Sequence, residues 1–167
     1  FEGTVKFSSY VEAGVENHTR KTNPLVDYGP FGKHLVVEEL KSDEDYILYQ
    51  GETKNSKLSM ACGSVVVTDG HMTECVIGEE DGHTSYEVYA EEGKEVTFEK
   101  MIAYTSELDM PKEEILPFIR AKLSEAKVLG YDKYEALQKE KMDEFWSKAD
   151  IKIEGDEELQ QGIRFNL

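Results

Sequence analysis

No run of apolar residues in this chain approaches the ~20 needed to cross a bilayer as a helix. No charged-then-apolar leader precedes its first strand pattern either, although a chain that opens on Phe1 rather than Met gives that second absence little weight. Basic residues are the scarcer charge: 19 Lys and Arg stand against 35 Asp and Glu, for a net charge of −16. Such a surface repels phosphate backbones and anionic lipid head groups, so neither nucleic acid nor membrane is expected as a partner. Cysteine is nearly missing. Cys62 and Cys75 form no CxxC and have no nearby His pair, which predicts interior free thiols, a reducing compartment and a cytoplasmic location.

Signatures of chemistry are also absent. Gly63, Gly70, Gly78, Gly82 and Gly93 never build GxGxxG between a strand and a helix, nor a phosphate loop with its Lys. There is no GxSxG, and Tyr104-Thr105-Ser106 reads as a polar strand exit rather than a nucleophile elbow. The four histidines His18, His34, His71 and His83 fall on turns and strand starts without HxH or HxxxH spacing, so they read as surface residues rather than metal ligands. Glu154 and Asp156 flank Gly155, but Asp156 has a helix-capping role and the spacing defines no glycosidase pair. Asn17-His18-Thr19 matches a glycosylation sequon by chance in a chain with no secretory signal. No repeat of 20 to 50 residues occurs, which sets aside solenoids and propellers. The expectation is a chain with no catalytic, cofactor-binding or metal residue of its own.

What is present divides at Ser106. Before it, short alternating or apolar runs predict strands at 5–11, 34–40, 46–50, 58–61, 64–68, 74–77, 86–90 and 96–105, separated by turn chemistry such as Thr68-Asp69-Gly70 and Glu80-Asp81-Gly82. Many short strands at even spacing predict an antiparallel sandwich or barrel. After it the period becomes 3.6. Ile115, Phe118, Ile119, Leu123, Ala126 and Leu129 share one helix face, with Pro117 in the first turns and Gly130 as the left-handed stop. A second helix is expected from Asp132, boxed with Glu135, with Tyr134, Leu137, Met142, Phe145 and Trp146 as its stripe. Trp146 could serve as a carbohydrate platform, but its place on that stripe favours packing.

Ile151-Lys152-Ile153 then steps into a third helix capped by Asp156, whose apolar positions Leu159, Ile163 and Leu167 run on without a stop signal. Phe1 to Val11 likewise reads as the middle of a strand pattern. Both ends suggest a piece of a larger protein: part of a β domain at 1–106, a helical linker at 107–155 and a cut helix at 156–167. On that reading Trp146, Phe165 and Leu167 would pack on a module beyond the chain.

The string Phe145-Trp146 … Asp150-Ile151-Lys-Ile153-Glu-Gly155-Asp156 … Gln160-Gln-Gly-Ile-Arg164-Phe165-Asn166-Leu167 resembles the domain junction of glycoside hydrolase family 65. Phe98 to Ser106 resembles the last strand of that family's N-terminal domain, and Gly130-Tyr131-Asp132 its linker turn; Lys139-Glu-Lys-Met142 stands where members often carry a second Trp. The likeness is strong over 93–167 and looser before it. It implies a mainly β fold, an antiparallel β-sandwich of the super-sandwich, galactose-mutarotase-like kind followed by two linker α-helices, with 156–167 opening an (α/α)6 catalytic barrel.

It further implies a parent enzyme acting on α-linked glucose disaccharides, maltose phosphorylase-like, with inorganic phosphate as co-substrate and no cofactor, assembled as a homodimer. The family's general acid and sugar subsites would lie beyond Leu167, so the resemblance assigns no site residue to this chain. It marks 19–33 as a candidate loop toward an active-site mouth. Two other readings stay open: a carbohydrate-binding module using Tyr10, Tyr28, Phe31, Tyr46 and Tyr49, and a dimerising domain.

Overall fold

The computed structural model describes residues 1–17 and 32–166, and its fold is two compact units, 1–128 and 129–167. The first unit holds nine strands and a helix: β1 Gly3–Glu12, β2 Glu16–Asn17, β3 Gly32–Lys33, β4 Leu35–Asp43, β5 Tyr46–Thr53, β6 Ser59–Thr68, β7 His71–Ile77, β8 Asp81–Ala90, β9 Phe98–Ser106 and α1 Lys112–Leu129, whose final residue opens the second unit. Among the described residues β2 and β3 form a small two-stranded sheet; of the two larger antiparallel sheets, three strands in the order β1-β8-β7 form one, and four in the order β4-β5-β6-β9 form the other. Ring contacts tie the two together: Phe7 stacks on Phe98 at 4.9 Å, and Tyr86 meets Phe98 edge-on at 6.1 Å. The mainly β, antiparallel architecture is the one expected. The runs at 58–61 and 64–68 join into the single strand β6, because Cys62 and Gly63 continue its ladder to both neighbours.

The four-stranded sheet is covered on both faces. Tyr46, Leu48, Ala61 and Val65 pack under Ile115, Leu116, Ile119 and Leu123 of α1, while alternation turns Ile47 and Tyr49 toward the other sheet. This explains why Tyr46-Ile-Leu-Tyr49 is an unbroken apolar run: all four are at most 3% exposed. Gly63 makes the close approach of α1 possible, since a Cβ there would lie 2.9 Å from Ile119, Leu123 and Leu48. Polar groups hold the helix in register. The Arg120 guanidinium lies 3.5 Å over the Tyr46 ring and donates to Asp43 at 2.6 Å, and Lys112 reaches Glu38 at 2.6 Å.

The helix face differs from the expected one by a small rotation. Leu116 is buried in place of Phe118, which is 37% exposed beneath the Lys122 ammonium. The buried stripe is therefore Ile115, Leu116, Ile119 and Leu123, all packed against Tyr46, Leu48, Ala61 and Val65 of the sheet.

The second unit contains α2 Tyr131–Ala149 and α3 Glu157–Asn166. The expected box between Asp132 and Glu135 does not form. Gly130, at φ 75°, both ends α1 and caps α2 without a side-chain bond, so Asp132 falls inside the first turn and acts only through the helix dipole. No residue of α2 is buried, and Tyr134, Leu137, Met142 and Phe145 are all at least 39% exposed. Phe145 and Trp146 meet edge to face at 5.1 Å.

Candidate functional site

Two places gather side chains in a way that the strands and helices alone do not require. The first is a cleft of about 300 Å³ in the sandwich, where the chain leaves β1. Tyr10 and Val15 form one wall, and Cys62, Lys100, Ile102 and Tyr104 of β6 and β9 the other. Lys100 Nζ donates to the Tyr10 carbonyl at 2.7 Å and closes one end. Ile102 is 49% exposed and Tyr104 68%. The Tyr49 hydroxyl is buried with no hydrogen-bond partner among the described residues.

The electrostatics of the cleft run against catalysis. Burial pushes the Cys62 thiol up from its ordinary value, opposed only by the Lys100 charge, so the neutral thiol dominates where a nucleophile needs the thiolate. Burial likewise raises the Tyr49 phenol. Glu12 is the single carboxylate in the lining, whereas glycosidic hydrolysis asks for two. The cleft offers apolar surface, and among the described residues its lining holds no pair of carboxylates.

The second place is the passage from α2 to α3. Asp150 closes α2 with its amide on the Trp146 carbonyl at 3.1 Å, and its carboxylate takes both Arg164 nitrogens, Nε at 2.7 Å and Nη2 at 2.6 Å. Gln160 donates to the Ile151 carbonyl and accepts from the Ile153 amide, each at 2.7 Å, pairing the extended step along its own backbone. Gly155 turns the chain at φ 89°, and Asp156 Oδ1 accepts from the Leu159 amide at 2.9 Å as the expected N-cap. The Arg164 hydrogen bond and charge hold the Asp150 carboxyl below its ordinary range. Asp150, Asp156, Gln160 and Arg164 are thus committed to shaping this corner. Phe165 of α3 is 89% exposed.

The remaining candidates scatter. His83 stacks on Tyr10 at 5.0 Å with Nε2 3.5 Å from Glu74, His71 opens β7, and His34 Nε2 is buried without a partner. His18 lies outside the described residues. Among those residues no three His, Cys, Asp or Glu side chains are placed to hold a metal. Cys62 and Cys75 are free and lie on different sheets. Ser106 Oγ accepts from the Leu108 amide at 3.4 Å, completing a polar strand exit.

Of the five proposed sugar-stacking aromatics, Tyr46 and Tyr49 are core residues at 3% exposure and offer no face, because β5 is covered on both sides. Tyr10 is 58% exposed, and Tyr28 and Phe31 lie outside the described residues. The 19–33 loop is likewise undescribed up to residue 31; Gly32–Lys33 pairs with Glu16–Asn17, and Lys33 forms an ion pair with Glu80. Sequence reasoning missed the Asp150–Arg164 and Gln160 contacts. Fourteen residues separate the first pair, and no local periodicity links them.

Comparison with known proteins agrees with this geometry. The description "Glycosyl hydrolase family 65, N-terminal domain" matches residues 1–145. The alpha,alpha-trehalose phosphorylase of Thermoanaerobacter brockii is 30% identical over 169 residues, covering 99% of this chain and 22% of the relative. That of Geobacillus stearothermophilus is 33% identical over 171 residues, covering 100% of this chain and 21% of the relative. The chain therefore spans about a fifth of the length of these relatives. A solved structure described as a kojibiose phosphorylase from the human microbiome superposes with a TM-score of 0.76 over 98% of this chain and 20% of that one, at 15% identity, a likeness of fold alone.

Proposed function

The chain belongs to glycosyl hydrolase family 65 through its N-terminal domain, and on that premise we propose that it is the non-catalytic β-sandwich and linker portion of a phosphorylase of α-linked glucose disaccharides. The observation that carries the reading is the match over residues 1–145, continued by a junction corner in which Asp150, Asp156, Gln160 and Arg164 are spent on structure. In the parent reaction a carboxylic acid would protonate the glycosidic oxygen while phosphate attacks the anomeric carbon from the opposite face; the bond to the leaving glucose breaks and inverted glucose 1-phosphate forms. Neither the acid nor the phosphate site is assigned to this chain. A family hydrolase would admit water in place of phosphate.

The two relatives aligned over the whole chain are trehalose phosphorylases, which favours trehalose as the first substrate to assay, with maltose and kojibiose beside it. The 167-residue chain alone should release no glucose or glucose 1-phosphate from any of the three. The whole gene product should release glucose 1-phosphate in a phosphate-dependent manner. Turnover by the chain alone would overturn the non-catalytic assignment, and phosphate-independent glucose release by the whole product would overturn the phosphorylase assignment. Among the described residues no helix is long and apolar enough to cross a membrane.

A further inference from the structure

Helix propensity alone does not account for α3. Its 10 residues fall below the roughly 12–15 under which an isolated helix is marginal in water, and Gly162 lies inside it. Its polar side chains supply what propensity lacks. Asp156, Gln160 and Arg164 follow one another at four-residue intervals, so they share one face of the helix. All three are bonded within the same short stretch of chain. Asp156 caps the first turn, Gln160 holds the Ile151 carbonyl and the Ile153 amide, and Arg164 meets the Asp150 carboxylate with two nitrogens. Asp150 is itself fixed to α2, because its amide donates to the Trp146 carbonyl. A chain of bonds therefore runs from the last turn of α2, through the extended step, to the last turn of α3.

We propose that the α2–α3 corner is a self-contained elbow, in which one polar face of α3 grips the segment that precedes it and fixes the helix at a set angle to α2. Every partner lies within residues 146–164, so the bonds need nothing from elsewhere in the protein. The bidentate Asp150–Arg164 pair restricts rotation as well as separation, since two parallel N–H···O bonds define a plane. Gln160 removes the remaining twist by pinning two backbone groups of the extended step at once, as donor to one and acceptor from the other. The direction of α3 is then set by what stands before it in the chain. On the phosphorylase reading this is the direction in which the polypeptide enters the rest of the enzyme, and Asp150, Gln160 and Arg164 are positioning residues. The elbow itself is read on this chain alone, whatever substrate the whole protein takes.

The test is amide exchange, with residual dipolar couplings, on the isotope-labelled 167-residue chain. Ile153 is the most direct reporter, since it lies outside helix and strand yet gives its amide to Gln160. It should exchange at least ~10-fold more slowly than its intrinsic rate, and the couplings of α2 and α3 should fit one alignment tensor. Gln160→Met keeps the length of the side chain, removes both bonds and should return Ile153 to its intrinsic rate. Asp150→Ala and Arg164→Gln should each speed exchange in α3 about 5-fold, the effect of a well-placed ion pair. The double variant should speed it no further, because both changes break one pair. Lys141→Gln, which removes an ion pair to Glu144 within α2, should leave α3 unaltered. An Ile153 amide at its intrinsic rate in the unaltered chain overturns the elbow. So do separate alignment tensors for the two helices, or single-variant effects that multiply in the double.

Discussion

At the scale of single residues, Gly63 shows how a side chain's absence can be structural. Its φ is ordinary; what matters is that α1 sits where a Cβ would be. Gly63→Val is expected to destabilise the first unit by about 1–3 kcal/mol, read as a lowered midpoint in urea with an unchanged slope, because the facing groups are side-chain ends of Ile119, Leu123 and Leu48 that yield only in part. Cys62 offers a second check. With its thiol pushed up by burial, alkylation near pH 8 should be markedly slower than for a free, solvated thiol, and rapid modification at position 62 would contradict the packing of the cleft. Neither role was legible in the sequence. Gly63 reads there only as a residue between two strand runs, and Cys62 as any small interior residue, since what decides each is a neighbour more than forty positions away or on another strand.

At the scale of elements, the corner between α2 and α3 turns a recognisable string into mechanics. Asp156 was legible because capping is local: the acceptor sits three residues before the amide it satisfies. Asp156→Ala should cost α3 about 1 kcal/mol, seen as faster amide exchange in its first turn. The Asp150–Arg164 pair adds a pH dependence. Because the carboxyl is held below its ordinary 3.8 in the folded corner, its contribution is fully present above that value and is lost as pH falls through the lower folded value. Exchange in α3 should therefore accelerate as pH falls below the carboxyl's ordinary 3.8, and Arg164→Gln should flatten that acceleration. A pH profile of α3 exchange that Arg164→Gln leaves unaltered would remove the pair from the account. α1 teaches the complementary point: its existence and stop followed from period and Gly130, but Leu116 displaced Phe118 from the buried face only because a particular sheet lies beneath it.

At the scale of the whole molecule, the net charge of −16 is a cost distributed over the surface. The cross-element pairs Lys112–Glu38, Arg120–Asp43 and Lys127–Asp45 answer only a few of those carboxylates. Raising NaCl from about 0.05 to about 0.5 M should thus raise the melting temperature, because screening weakens long-range self-repulsion more than it weakens close pairs. A melting temperature that falls with salt would mean that the ion pairs dominate.

The sequence by itself determined the class of fold, the switch from strands to helices at Ser106, the stop at Gly130, the Asp156 cap and, through the junction string, the family. All of these rest on periodicity, turn chemistry or short-range hydrogen bonds, which a linear pattern records. Only the tertiary structure decided which of the tyrosines are core, which face of α1 is buried and what Asp150, Gln160 and Arg164 are for. Each of these depends on which distant segment arrives alongside, and burial and long-range pairing are properties of the folded neighbourhood rather than of any window along the chain.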